Sequence, residues 1–216
     1  MEQINKIFKL YSDPKFNILN YNDKDIYLTE ELNKLCIISK FDIFFERVKI
    51  SDIWKPINIT FTERDLGKKL RKDPDFIEYF IKGFSKKALE SLKDLIPNDI
   101  EILPVNNVYS KKEYFFINIP YDLDCLGEKT IKDGIHFERY DFNLNKLDKH
   151  IFTIKEDLME IYVTDIFVKK VLENKLKGFG FSPVWIKGDR KIYKDPFVNV
   201  DDIDSSDEST WKYLDI

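Results

Sequence analysis

The chain has 216 residues, and at about 150 residues per domain it has room for one large domain or two interlocked lobes, which excludes a multidomain machine. Its 35 Lys and Arg against 39 Asp and Glu leave a net charge of −4, which argues against binding nucleic acid or an anionic membrane through bulk charge. With 43% hydrophobic and 34% charged residues, a full core is expected beneath a heavily ionised surface, and no run approaches the roughly 18 apolar residues of a membrane helix.

From Ile4 to Tyr27, short apolar pieces punctuated by Ser12-Asp13-Pro14 and Asn20-Tyr21-Asn22-Asp23 predict strands joined by turns. Thr29, followed by Glu30, Glu31, Leu32 and Leu35, predicts a short capped helix. The stretch from Cys36 to Ile50 is dense in β-branched and aromatic residues and Ile57 to Phe61 alternates, so both are expected to be strands. Thr62 to Asp65 would cap a basic helix that ends before Asp73-Pro74. Phe76 to Phe84 is long enough for one strand. Ser85 is a good N-cap, and Ala88, Leu89, Leu92, Leu95 and Ile96 then fall on one helical face. Ile100 to Val105 and Glu113 to Ile119 are expected strands, with a turn at Asn106-Asn107.

The second half repeats this grammar. His136 to Tyr140, Phe142 to Leu147, Ile151 to Ile154 and Glu160 to Val163 predict strands. Thr164 or Asp165 caps a helix carrying Phe167, Val168, Val171, Leu172 and Leu176, with Gly178 as its left-handed stop, and Phe179 to Ile186 is again extended. Strand, capped helix and strand thus occur twice. The letters Phe-x-Lys-Lys-x-Leu-Glu also recur, at 84–90 and 167–173, but they align at an offset of 83 whereas the caps align at 79. The plainer reading is two amphipathic helices on a common sheet.

These elements predict an α+β fold: a mixed, mainly antiparallel sheet, two capped amphipathic helices, and a smaller β-rich N-terminal lobe. The expected divisions are a β-rich region over 1–72, an α+β core over 73–200, and an acidic tail over 201–216, where like charges disfavour packing.

Few residue constellations carry chemistry. Asp122-Leu123-Asp124 has the spacing some group-transfer enzymes use to hold a divalent cation; turn carboxylates accepting backbone N–H groups are the plainer reading. Gly178-Phe179-Gly180 follows a helix and has Pro183 where a dinucleotide loop needs glycine. His136 and His150 form no helical metal pair. Cys36 and Cys125 fit neither a metal knuckle nor a redox pair, and Asp124 beside Cys125 would raise, not lower, its thiol pKa. Arg64, Lys68, Lys69, Arg71 and Lys72 are interrupted by acids and suit a solvated helix face. No cofactor is expected. Met1 to Lys6 lacks the basic start and apolar stretch of an export signal, and with unpaired cysteines a reducing cytoplasm is the expected compartment.

The central block resembles one family of bacterial polymorphic-toxin immunity proteins. The resemblance is carried by Phe84-Ser85-Lys86-Lys87-Ala88-Leu89-Glu90, Glu101-Ile102-Leu103-Pro104-Val105, Glu113 to Ile119 with its Asn118, Asp122 to Leu126, Tyr162-Val163-Thr164-Asp165 and Gly178-Phe179-Gly180-Phe181, in that order. It covers roughly residues 73–185. Thr164 stands where Ser is more usual, and the first seventy residues fall outside it. The resemblance implies a non-catalytic antidote that occludes the active or substrate-binding site of a cognate toxin domain. Candidate partner-binding residues are Asp122 and Asp124, with Asp201, Asp202, Asp204, Asp207 and Glu208 of the tail imitating a polyanion and Trp211 as apolar anchor. The alternatives are an interaction module without a toxin, or a metal-dependent group-transfer enzyme using Asp122 and Asp124.

Overall fold

The computed structural model describes residues 3–16, 18–36, 40–62, 73–134, 136–189 and 198–199. In chain order its elements are β1 (Lys6–Ser12), β2 (Ile18–Tyr21), α1 (Glu30–Asn33), β3 (Asn58–Thr62), β4 (Phe76–Glu78), β5 (Lys82–Ser85), α2 (Lys86–Leu92), β6 (Glu101–Asn107) and β7 (Tyr114–Asn118). The second half continues with β8 (Ile131–Asp133), β9 (His136–Arg139), β10 (Ile151–Ile154), β11 (Asp157–Thr164), α3 (Asp165–Glu173), β12 (Phe179–Ile186) and β13 (Val198–Asn199).

The fold is α+β, with two principal sheets ordered β10-β11-β1-β12-β13 and β2-β3-β6-β7-β5-β4. Pairing is antiparallel except between β3 and β6. Because side chains alternate along a strand, each sheet has two apolar faces to cover. Phe8 and Leu10 of β1, Val163 of β11, Phe179 and Phe181 of β12, Phe84 of β5 and Ile117 of β7 turn toward one shared core, which α2 and α3 complete. The opposite faces have cores of their own. Tyr114 and Phe116 of β7 pack under Ile43, Phe44 and Ile50, while Ile7, Phe152 and Tyr162 pack under Cys125, Phe142 and Leu147.

The described strands of the N-terminal region do not stand apart as a separate lobe. β1 lies between β11 and β12 in one sheet, while β2 and β3 extend the other. The stretch 73–185 therefore lacks strands from both sheets without the N-terminal region.

Both capped helices form as their sequences direct. Ser85 Oγ accepts from the Ala88 N–H and Thr164 Oγ1 accepts from the Phe167 N–H. Asp75, almost fully buried, holds the first cap: its carboxylate accepts from Ser85 Oγ (2.8 Å), Lys112 Nζ (2.8 Å) and the Lys177 N–H (2.9 Å). Burial alone would raise its pKa, but Lys112 and the other donors prevail and hold it below the ordinary carboxylate value.

The caps also settle the internal register. β5 and β6 run parallel with β7 between them, and β11 and β12 run parallel with β1 between them. The shift from Ser85 to Thr164 superposes β5 on the end of β11, α2 on α3 and β6 on β12. In the competing register Phe84, a strand residue, would match Phe167, which lies inside a helix. Each unit is a hairpin, a capped helix and a returning strand that skips one place.

Several local expectations fail for physical reasons. Among the described residues of 36–50 there is no strand; Lys40–Phe44 is a 3₁₀ turn whose Ile43 and Phe44 cover a sheet face instead of pairing with an edge. Phe76 to Phe84 is a hairpin, not one strand, and Phe142 to Leu147 is a single bridge followed by a 3₁₀ turn capped by Asn143. Asn107 ends β6, and its side chain organises the turn after it by accepting from the Tyr109 and Ser110 N–H groups. The left-handed stop of α3 is Lys175 (φ 50°), not Gly178: the Leu176 N–H returns to Val171 O and the Lys175 N–H to Leu172 O. Gly178 (φ +83°) serves close approach, since a Cβ there would meet Pro74 Cβ at 2.5 Å.

Candidate functional site

The basic cluster Arg64, Lys68, Lys69, Arg71 and Lys72 lies outside the described residues, as do Asp201, Asp202, Asp204, Asp207, Glu208 and Trp211 of the acidic tail. Asp122 and Asp124 are described, and each has its own cation. Asp122 Oδ1 accepts from Arg47 Nε at 2.8 Å in a half-buried pair, while Asp124 is exposed and meets Lys146 at 2.9 Å. The carboxylates are therefore occupied by side-chain cations, not by turn N–H groups. Among the described residues no three His, Cys, Asp or Glu side chains gather as a metal site. His150 Nδ1 lies 2.9 Å from Thr164 Oγ1 at the α3 cap, and His136 is exposed on β9. Cys125 is fully buried, which pushes its thiol up to about 12.

The surface feature that stands out is elsewhere. Four large apolar side chains are half exposed at two adjoining hairpins: Tyr79 (52%) and Phe80 (49%) between β4 and β5, and Leu158 (49%) and Met159 (59%) at the start of β11. The 79-residue shift that matches the caps also maps Tyr79 onto Leu158 and Phe80 onto Met159, so the repeated architecture brings equivalent positions together. Phe80, Leu158 and Met159 border one narrow cleft between the sheets, with Phe44 and Phe45 on its walls.

Polar contacts fix both tips. Lys82 Nζ donates to Met159 O (3.2 Å) and pairs with Glu78 (2.7 Å), joining the hairpins directly. Arg47, itself left-handed (φ 55°), donates to Phe44 O (3.0 Å), Asp122 (2.8 Å) and Leu158 O (2.9 Å). A non-glycine residue in that conformation stores strain, and here three hydrogen bonds hold it. Asp122 thus belongs to the rim of the cleft through Arg47. On the other hairpin the Phe80 N–H donates to the Tyr21 hydroxyl, and Tyr21 meets the Tyr79 ring edge-on at 5.5 Å.

Beneath the tips runs an ion cluster. Lys9 pairs with Asp157 (2.9 Å) and lies 3.9 Å from Glu160, and Lys82 also lies 3.9 Å from Glu160. The Tyr162 hydroxyl donates to Asp157 at 2.7 Å and lies 3.1 Å from that of Tyr140. Among the described residues, Glu160 accepts a long bond from the Tyr11 hydroxyl (3.3 Å). Burial therefore dominates and raises its pKa despite Lys82 and Lys9. Lys9 has the opposite outcome: burial disfavours its charge, but Tyr140, Asp157 and Glu160 prevail and raise its pKa.

Chemically, this is a rigid apolar and aromatic surface with a charged surround, the composition of a protein-docking face. The sequence reading missed it. A signal was present: Glu78 and Lys82 flank Tyr79-Phe80-Ile81 symmetrically, as the polar stems of a turn would, and Gly83 follows.

No protein-family model matches the chain, and no curated protein is significantly similar to it. Among the described residues no helix is long and apolar enough to cross a membrane.

Proposed function

We propose that this chain is an immunity protein that binds one cognate bacterial toxin domain and neutralises it by covering its active or substrate-binding site. The observation that carries the reading is the contiguous tip surface of Tyr79, Phe80, Leu158 and Met159, braced by Lys82, Arg47 and Tyr21. An antidote must bind tightly without turnover; half-exposed aromatic side chains on pre-formed hairpins lose little conformational freedom on docking, and the flexible Met159 thioether can adapt to the surface it meets. The order of motifs from Ser85 to Phe181 supports the same reading through its resemblance to immunity proteins. The acidic segment of the sequence, Asp201 to Glu208 with Trp211, would add charge complementarity to a basic toxin surface. The compartment is the cytoplasm, where the toxin would act on its producer or its kin.

The test is titration calorimetry of the purified chain against the toxin domain encoded beside it. The expected result is a saturating complex of fixed stoichiometry that abolishes toxin activity. A toxin that remains fully active in excess of this chain would end the proposal.

A further inference from the structure

A third hairpin stands beside the tip surface and belongs to neither principal sheet. β8 and β9 pair with each other and, among the described residues, with no other strand. All three residues of β8 are exposed, Ile131 at 47%. A two-stranded ribbon has little stability of its own in water, and this one is held from its inner face. The Phe137 ring stacks on Tyr140 at 4.3 Å with 12° between the planes. Lys132 Nζ lies 4.7 Å from the centre of the Phe137 ring and donates to Glu156 O at 3.1 Å. Glu156 sits in the turn that leads into Leu158 and Met159, so the ribbon is tied to the tip surface itself. Its stem is clamped as well: Thr130 Oγ1 (3.1 Å) and the Gly127 N–H (2.8 Å) both donate to Asp141 O.

Each strand of such a ribbon has an outer edge of backbone N–H and C=O groups that face away from its partner. The two edges are not equivalent. Between Ile131 and Lys132 the register advances one residue on β8 but two on β9, from Arg139 to Phe137, so Glu138 is an extra residue that interrupts β9. β8 has no such interruption. Its lysine, the residue type that commonly guards an edge, is instead folded inward onto Phe137 and Glu156. The exposed side chains of the ribbon are mostly polar, Ile131 apart, so its distinctive offering is a regular backbone edge. A row of alternating donors and acceptors is matched by another extended chain. We infer that β8 accepts a strand of the toxin domain along its open edge, so that backbone pairing here and apolar contact at the adjoining tips hold one partner together. The inference rests on the proposed immunity role and names the element the partner brings, an exposed strand.

The test is amide hydrogen exchange of the full chain, alone and with the toxin domain encoded beside it. Exchange within Ile131–Asp133 is expected to slow at least about tenfold in the complex, as backbone bonds to a partner strand require. Ile131→Pro denies β8 a donor and a regular edge and should weaken the complex at least about tenfold, whereas Ile131→Thr keeps the strand and should bind within about threefold of the wild type. Equal losses in the two variants would assign the contact to the Ile131 side chain and overturn the strand pairing. A complex that protects the tip hairpins while β8 exchanges as in the free chain would overturn it too, and would leave the immunity reading intact. No complex at all would overturn the immunity reading, and this inference with it.

Discussion

Asp75→Asn is expected to be among the most damaging isosteric changes in the molecule. The carboxylate ties the α2 cap to the segment that leads from α3 into β12, accepting from Ser85, Lys112 and Lys177 at 2.8, 2.8 and 2.9 Å while only 3% exposed. Asparagine keeps one acceptor oxygen and turns an NH₂ group against either the Lys177 N–H or the Ser85 and Lys112 donors. The variant loses one charge-assisted bond, about 1.5–3 kcal/mol, and leaves a buried donor unsatisfied, a further 1–3 kcal/mol or so. A loss of about 3 kcal/mol follows, or a fall of very roughly 9 °C in Tm for a chain of this length. Because the folded pKa of Asp75 is depressed, its contribution is complete above the unfolded value of 3.8 and is lost as pH falls through the lower folded value. Urea unfolding at pH 7 and near pH 3 measures both effects: the gap between wild type and variant should be wide at pH 7 and should narrow in acid. A gap below about 1 kcal/mol at pH 7, or one independent of pH, would refute the account of this hub.

Other expectations are simpler to check. Lys175→Gly should stabilise the fold by up to about 1 kcal/mol by relieving the left-handed strain at the end of α3, whereas Gly178→Ala should destabilise it by about 2–4 kcal/mol through its positive φ and the clash with Pro74; denaturant midpoints decide both. Cys125, buried and with its thiol near 12, should resist thiol reagents at neutral pH until the chain unfolds, and rapid labelling of the native protein at Cys125 would contradict its burial. Asp124→Asn should leave toxin binding unaltered, since that carboxylate is exposed and its pair with Lys146 lies away from the tip hairpins, while Asp122→Asn should weaken it by releasing Arg47 from Leu158; surface-plasmon measurements on the two variants distinguish them.

What the sequence made legible was local. Ser85 and Thr164 cap helices because a hydroxyl three residues before a free N–H is a short-range signal, and Phe179 to Phe181 alternates into the core because strand periodicity is local too. The segment around Ile43 misled because β-branched and aromatic density marks burial as readily as strand pairing. Sheet order was not readable: Ile7 pairs with Thr164 across most of the chain, and nothing near either residue announces the other. The tip surface was hidden for the same reason, since Phe80 and Met159 are neighbours only after the two hairpins converge. Glu160 read as a strand residue, and its unusual setting depends on Lys9, Lys82 and Tyr11 from other strands.

The docking claim is tested most directly by the affinity of the double variant Phe80→Ala/Met159→Ala for the toxin domain encoded next to this chain. Both side chains are about half exposed, so the fold should melt as the wild type does, while affinity falls about 100-fold or more. Wild-type affinity in a variant that is fully folded would contradict the account.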